Sequence, residues 1–151
     1  MASIVHWRTV QQQLMASPCS VVVVDGNAFD RTNTVALLEG AGYRVRSARN
    51  FDEAKKLLAE DPPDILITDL RLGQYNGLHL VLRTRSNHPE MAALVTSRVA
   101  DPVLEAEAYR QHAHFVLVPL PPPQLLQAVA SSLGEGPRKI LTKSPISQEL
   151  C

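Results

Sequence analysis

The stretch Ser20-Val21-Val22-Val23-Val24-Asp25-Gly26-Asn27 decides the fold. Four β-branched residues in a row, with no polar residue alternating, describe a strand covered on both faces, the habit of a parallel sheet packed between helices. Asp25-Gly26-Asn27 ends the run with turn-forming residues. A helical stretch follows to Gly40, carrying Val35, Leu37 and Leu38, with Gly40 and Gly42 as stop signals. Tyr43 to Ala48 sets Tyr43, Val45 and Ser47 against Arg44 and Arg46, a strand with one wetter face. Asn50 caps a helix whose Phe51, Ala54, Leu57 and Leu58 form a core-facing stripe, and Pro62-Pro63 ends it.

The alternation then repeats. Ile65-Leu66-Ile67-Thr68 is a third strand closing on Asp69, Gly73 to Gly77 a loop, Leu78 to Arg85 a short helix and Ala92 to Thr96 a fourth strand. Asp101-Pro102 opens a helix to about His112, and Phe115 to Val118 is a fifth strand. After the stiff loop Pro119 to Pro123, Leu125, Leu126, Val129 and Leu133 mark a last amphipathic helix. Strands and helices in strict alternation predict an α/β fold with right-handed crossovers and helices on both faces. The expected architecture is a flavodoxin-like (βα)5 doubly wound parallel sheet with strand order 2-1-3-4-5. This divides the chain into an N-terminal extension (1–19), a folded domain (20–133) and a C-terminal tail or linker (134–151). In the extension, Ile4, Trp7, Val10 and Leu14 line one side of a helix over Val5 to Met15, read either as a solvated leader or as an interaction helix.

Composition narrows the function. Of 151 residues, 15 are Lys or Arg and 15 are Asp or Glu, so the net charge is zero. A chain that coats nucleic acid or an anionic membrane needs a surplus of Lys and Arg, so no direct nucleic-acid or membrane binding is expected. No apolar run approaches the roughly 20 residues that span a bilayer. No secretory signal pattern opens the chain. The two cysteines, Cys19 and Cys151, are read as inert thiols, and the expected location is the cytoplasm.

In an open α/β sheet, ligands bind beyond the carboxyl ends of the strands. Asp25 ends strand one, Asp69 strand three, Thr96-Ser97 strand four and Val118-Pro119 strand five. Strands one and three are neighbours in the expected order, so their carboxylates share one site. Two like charges held together call for a cation between them or a raised pKa. Mg²⁺ is the usual answer to clustered oxygen ligands.

The segment Asp64-Ile-Leu-Ile-Thr-Asp69-Leu-Arg71-Leu-Gly-Gln-Tyr-Asn-Gly77 resembles the phosphoacceptor strand and loop of a two-component response-regulator receiver domain. Val22-Val23-Val24-Asp25 resembles the acidic-pocket strand of that family, Leu94-Val95-Thr96-Ser97 its switch hydroxyl, and Phe115 its switch aromatic. The resemblance rests on four motifs in order, on the right strand ends, and covers Ser20 to about Leu133, so 20–133 is expected to be a receiver domain. The resemblance implies a phosphorelay role. Asp69 would accept a phosphoryl group from a histidine kinase or phosphotransfer protein. Asp25, Asp69 and the backbone carbonyl of Arg71 would hold Mg²⁺. Thr96 and Phe115 would move inward on phosphorylation. The fourth helix, fifth strand and fifth helix would respond, engaging a downstream protein, an output domain outside this chain, or a second copy in a homodimer. Hydrolysis of its own phosphate would be a by-product of signalling, so no enzyme is expected.

Two departures weaken the pattern. Gly26 stands where the family has a second acidic residue, so Mg²⁺ binding is expected to be weak. Val118 replaces the lysine before the strand-five proline, and a methyl group makes no charge-assisted hydrogen bond. Arg71 and Arg98 border the site and either supply the missing phosphate contact or point into water. The alternative function is a degenerate receiver that binds protein partners without phosphoryl transfer. Sequence alone favours a trans Val118-Pro119 bond.

Overall fold

The computed structural model describes residues 18–134. The elements, in chain order, are β1 (Ser20–Val24), α1 (Ala28–Gly40), β2 (Arg44–Ala48), α2 (Phe51–Glu60), β3 (Ile65–Asp69), β4 (Arg71–Leu72), β5 (Tyr75–Asn76), α3 (Leu78–Arg85), β6 (Ala92–Ser97), α4 (Pro102–Arg110), β7 (His114–Leu117) and α5 (Pro122–Gly134). The helix expected over Val5 to Met15 and the tail lie outside the described residues.

One sheet runs β2-β1-β3-β6-β7, all neighbours parallel. Setting aside the two-residue strands β4 and β5, this is the order 2-1-3-4-5. β1 is buried along its whole length. Its side chains alternate between two cores. Val22 and Val24 join Leu66, Leu80, Val81 and Val95 beneath α2, α3 and α4, whereas Val21 and Val23 join Leu38, Ile67, Leu94, Val129 and Leu133 beneath α1 and α5. Leu66, Leu80 and Leu94 have no exposed surface, and truncating such a leucine to alanine costs about 2–5 kcal/mol. The unbroken valine run thus has its cause in helices on both sides.

The helix starts follow the local chemistry. The Asn27 side chain accepts from the Asp30 N–H (3.0 Å), Asn50 from Glu53 (2.9 Å) and Asp101 from Leu104 (3.1 Å), with Pro102 at the first helical position of α4. At the opposite end of the sheet, the Ser20 N–H donates to the Asp64 carboxylate (2.8 Å) and the Asp64 N–H to the Ser20 hydroxyl (3.0 Å), fixing β1 against β3.

Three expectations change. The segment read as a plain loop, Gly73 to Gly77, is part of a hairpin in which Arg71 pairs with Asn76 and Leu72 with Tyr75. Gly73, at φ 63°, makes the reversal, a backbone state that glycine adopts without a Cβ clash. Tyr75 then stacks on Phe51 with ring centroids 4.6 Å apart. The Val118-Pro119 bond is cis, an isomer that only the tertiary amide before proline makes accessible. Cys19, read as an inert thiol, is disulfide-bonded.

Candidate functional site

A cleft of about 430 Å³ opens at the carboxyl ends of β1, β3 and β6. Asp25, Gly26, Asn27, Asp69, Thr96 and Arg98 line its polar part, and Asp30, Asn33 and Thr34 face it from α1. Its other wall is apolar, built from Leu37, Val118, Pro119, Leu120, Pro122 and Leu125. The sheet register sets the central pair, since Asp69 lies opposite Thr96 across β3 and β6. The two carboxylates and the hydroxyl expected from the sequence therefore meet in one cleft.

Local structure fixes each group. Asp25 follows the last residue of β1, its carboxylate accepts from the Asn27 N–H (2.9 Å), and Arg31 donates to its carbonyl oxygen (2.7 Å). Asp69 ends β3, and the following residue is tied down twice: the Leu70 N–H donates to the Thr96 carbonyl (2.8 Å) and the Leu70 carbonyl accepts from the Gly77 N–H (2.8 Å). Gly77 has to be glycine there. A Cβ on it would lie 2.3 Å from the Asp69 carbonyl oxygen and 2.7 Å from the Thr68 hydroxyl. The end of the β4–β5 hairpin is thus packed against the backbone of Asp69 itself.

The electrostatics follow from burial and crowding. Desolvation, and then the neighbouring Asp25 charge, push the Asp69 carboxyl from its ordinary 3.8 up to about 6. The backbone N–H groups of Arg71 and Leu70 and the Arg98 charge act in the opposite sense. Asp25 is also raised, chiefly by burial, with Asp30 adding to the rise. Two carboxylates that each resist ionisation form a site that a cation relieves. Mg²⁺ commonly takes one or two carboxylates and completes its shell with water. Asp25 and Asp69, which both line the cleft, fit that modest donor set. No group of three His, Cys, Asp or Glu residues converges as a metal site among the described residues.

The two arginines part company. Arg98 lines the cleft and pairs with Asp30. The Arg71 guanidinium does not line it; it is exposed and sits 4.0 Å from the Asp101 carboxylate. Phe115 is buried among the residues beneath α2, α3 and α4, next to β6 at Val95. Val118 lines the cleft with its methyl groups, and its N–H donates to the Ser97 carbonyl (2.9 Å).

One residue at the cleft was not expected there from the sequence. Asp30 reads as a helix-start residue, and it does occupy the first turn of α1, but it also faces the cleft and holds Arg98. The signal was available. Asp30, Asn33, Thr34 and Leu37 fall at the i, i+3, i+4, i+7 positions of one helix face, and all four line the cleft.

The chain is similar to several known proteins. The chain is 40% identical over 75 residues to the transcriptional regulatory protein PhoP of Escherichia coli (strain K12), covering 50% of this chain and 34% of that protein. It is 31% identical over 101 residues to the DNA-binding transcriptional regulator NtrC of Salmonella typhimurium, covering 67% of this chain and 21% of that one. It spans about a third or less of these relatives. Among solved structures, the chemotaxis protein CheY4 of Vibrio cholerae superposes with a TM-score of 0.71 at 23% identity, over 77% of this chain and 99% of that one. A response regulator receiver domain protein from Clostridium thermocellum gives 0.73 at 21% identity, over 82% and 99%. These two likenesses concern the fold. The family model of the response regulator receiver domain matches residues 21–130. With that match over most of its length, the chain belongs to the response regulator receiver domain family.

Proposed function

We propose that this receiver domain works in a phosphorelay and that Asp69 is its phosphoryl acceptor. One observation carries the reading: Asp69 and Asp25 share a cleft in which Thr96 lies directly across the sheet from Asp69. An Asp69 carboxylate oxygen attacks phosphorus on a phosphohistidine of a histidine kinase or phosphotransfer protein. The P–N bond breaks, the O–P bond forms, and the imidazole leaves with a proton. Mg²⁺, when bound, supplies charge neutralisation of the transferring phosphoryl oxygens. Asp25, the Asp69 carboxylate and the Arg71 carbonyl would hold it, and weakly, because Gly26 brings no side chain. The Thr96 hydroxyl donates to a phosphoryl oxygen, and Phe115, packed beside β6, responds to its movement.

The output surface in this reading is α4, β7 and α5. Val103, Tyr109 and Leu117 are 73%, 57% and 48% exposed there, an apolar excess that suits a downstream protein, an output region beyond this chain, or a second receiver. A cytoplasmic setting belongs to the same proposal; among the described residues no helix is long and apolar enough to cross a membrane.

The test is intact mass after incubation with acetyl phosphate and Mg²⁺, beside Asp69→Asn. A gain of one phosphoryl group that the variant lacks is the expected result. No gain in folded protein at large donor excess would favour the second reading, a protein-binding module that dispenses with phosphorylation. Val118 lining the cleft in place of a lysine is the observation behind that reading.

A further inference from the structure

Arg98 is the one Lys or Arg lining the cleft among the described residues. Its charge reaches both Asp25 and Asp69 and works against the rise that burial imposes on each. Its guanidinium is nevertheless engaged elsewhere, on the Asp30 carboxylate. Asp30 is itself anchored, because its own N–H is bonded to the Asn27 cap. The pair is open to water, with the Arg98 side chain 57% exposed and that of Asp30 29% exposed. Exposed ion pairs are weak and are exchanged readily for a better partner. A phosphoryl group on Asp69 is such a partner. It carries nearly two negative charges and three acceptor oxygens against the single charge of Asp30, and a guanidinium fits it in bidentate fashion. Val118 offers no competing cation.

We propose that Asp30 holds Arg98 in reserve and that the phosphoryl group draws Arg98 away from it, so that Asp30 restrains phosphorylation at Asp69. This rests on the reading of Asp69 as acceptor. Arg98 then makes the phosphate contact that Val118 does not make, and Asp30 is a positioning residue acting through Arg98. The exchange also frees the loop after β6 from α1, which the ion pair otherwise ties together.

A double-mutant cycle tests this. Phosphorylation time courses with acetyl phosphate and Mg²⁺ are followed by intact mass for the wild type, Asp30→Asn, Arg98→Ala, Arg98→Lys and the Asp30→Asn/Arg98→Ala double variant. Thermal unfolding checks that each is folded. Asp30→Asn is expected to label faster, by roughly 3- to 10-fold. Arg98→Ala is expected to label at least about 10-fold more slowly, with Arg98→Lys between it and the wild type. In the Arg98→Ala background, Asp30→Asn should no longer accelerate, because nothing remains for Asp30 to restrain. Three results would overturn the proposal while leaving the acceptor reading intact. One is Asp30→Asn labelling more slowly and needing more Mg²⁺, which makes Asp30 a metal ligand. Another is the same acceleration in both backgrounds, which makes it a general charge effect. The third is Arg98→Ala labelling like the wild type. If neither the wild type nor Asp30→Asn is labelled at all, the acceptor reading fails and this proposal fails with it.

Discussion

Replacing Asp69 with asparagine should make the protein more stable at neutral pH. The carboxyl group is half-buried beside Asp25, and its pKa rises from 3.8 to about 6. The folded state therefore holds the proton more tightly than the unfolded state does. The stability this group contributes is present below about pH 4 and is lost as pH rises through about 6, where the folded protein must ionise a carboxylate that burial and Asp25 both oppose. The shift corresponds to about 3 kcal/mol at neutral pH. Partial exposure and solvent screening reduce this to on the order of 1–2 kcal/mol. The asparagine side chain would keep the shape of Asp69 and remove its charge. Urea denaturation of wild type and Asp69→Asn, without divalent cations, at pH 7.5 and pH 4 is the assay. At pH 7.5 the variant should gain about 1–2 kcal/mol, a rise in Tm of about 4–8 °C for a domain of this size. At pH 4 the gain should largely vanish. In an Asp25→Asn background it should shrink, since one of the two causes has been removed. A variant that is less stable at pH 7.5, or a difference that does not change with pH, would refute the reasoning. Mg²⁺ should raise the stability of the wild type more than that of the variant, because it relieves the same repulsion.

Gly77→Ala should destabilise by about 1–3 kcal/mol and slow phosphoryl acceptance, because the added methyl meets the Asp69 carbonyl at 2.3 Å and the loop cannot yield without moving Asp69; chemical denaturation and intact-mass labelling read the two effects. Arg71→Ala should change stability by less than about 0.5 kcal/mol and labelling little, since its exposed guanidinium lies 4.0 Å from Asp101 and off the cleft; a tenfold loss of labelling would place its side chain at the phosphoryl group.

Much of the site was legible because it sits on strand ends. Asp25 and Asp69 follow apolar runs whose boundaries are sharp, and a parallel sheet aligns such ends on one edge. The hairpin of β4 and β5 was not legible, because two-residue strands leave no period to read and depend on one glycine turning the chain. Nor was the role of Asp30. Its place in the first turn of α1 was readable, but which residue its carboxylate meets depends on a loop 68 positions further along the chain.

Hydrophobic patterning by itself determined the alternation of strands and helices, the two-faced burial of β1, the capping residues and the carboxylates at the strand ends. These depend on neighbours a few residues apart, and such short-range chemistry is written in order along the chain. Tertiary structure alone decided that Arg98 faces the cleft while Arg71 turns to Asp101, that Gly77 presses on the Asp69 carbonyl, and that burial acts ahead of the Asp25 charge in raising the Asp69 pKa. Each of these is a distance between groups remote in sequence, and charge, contact and desolvation act through distance in space.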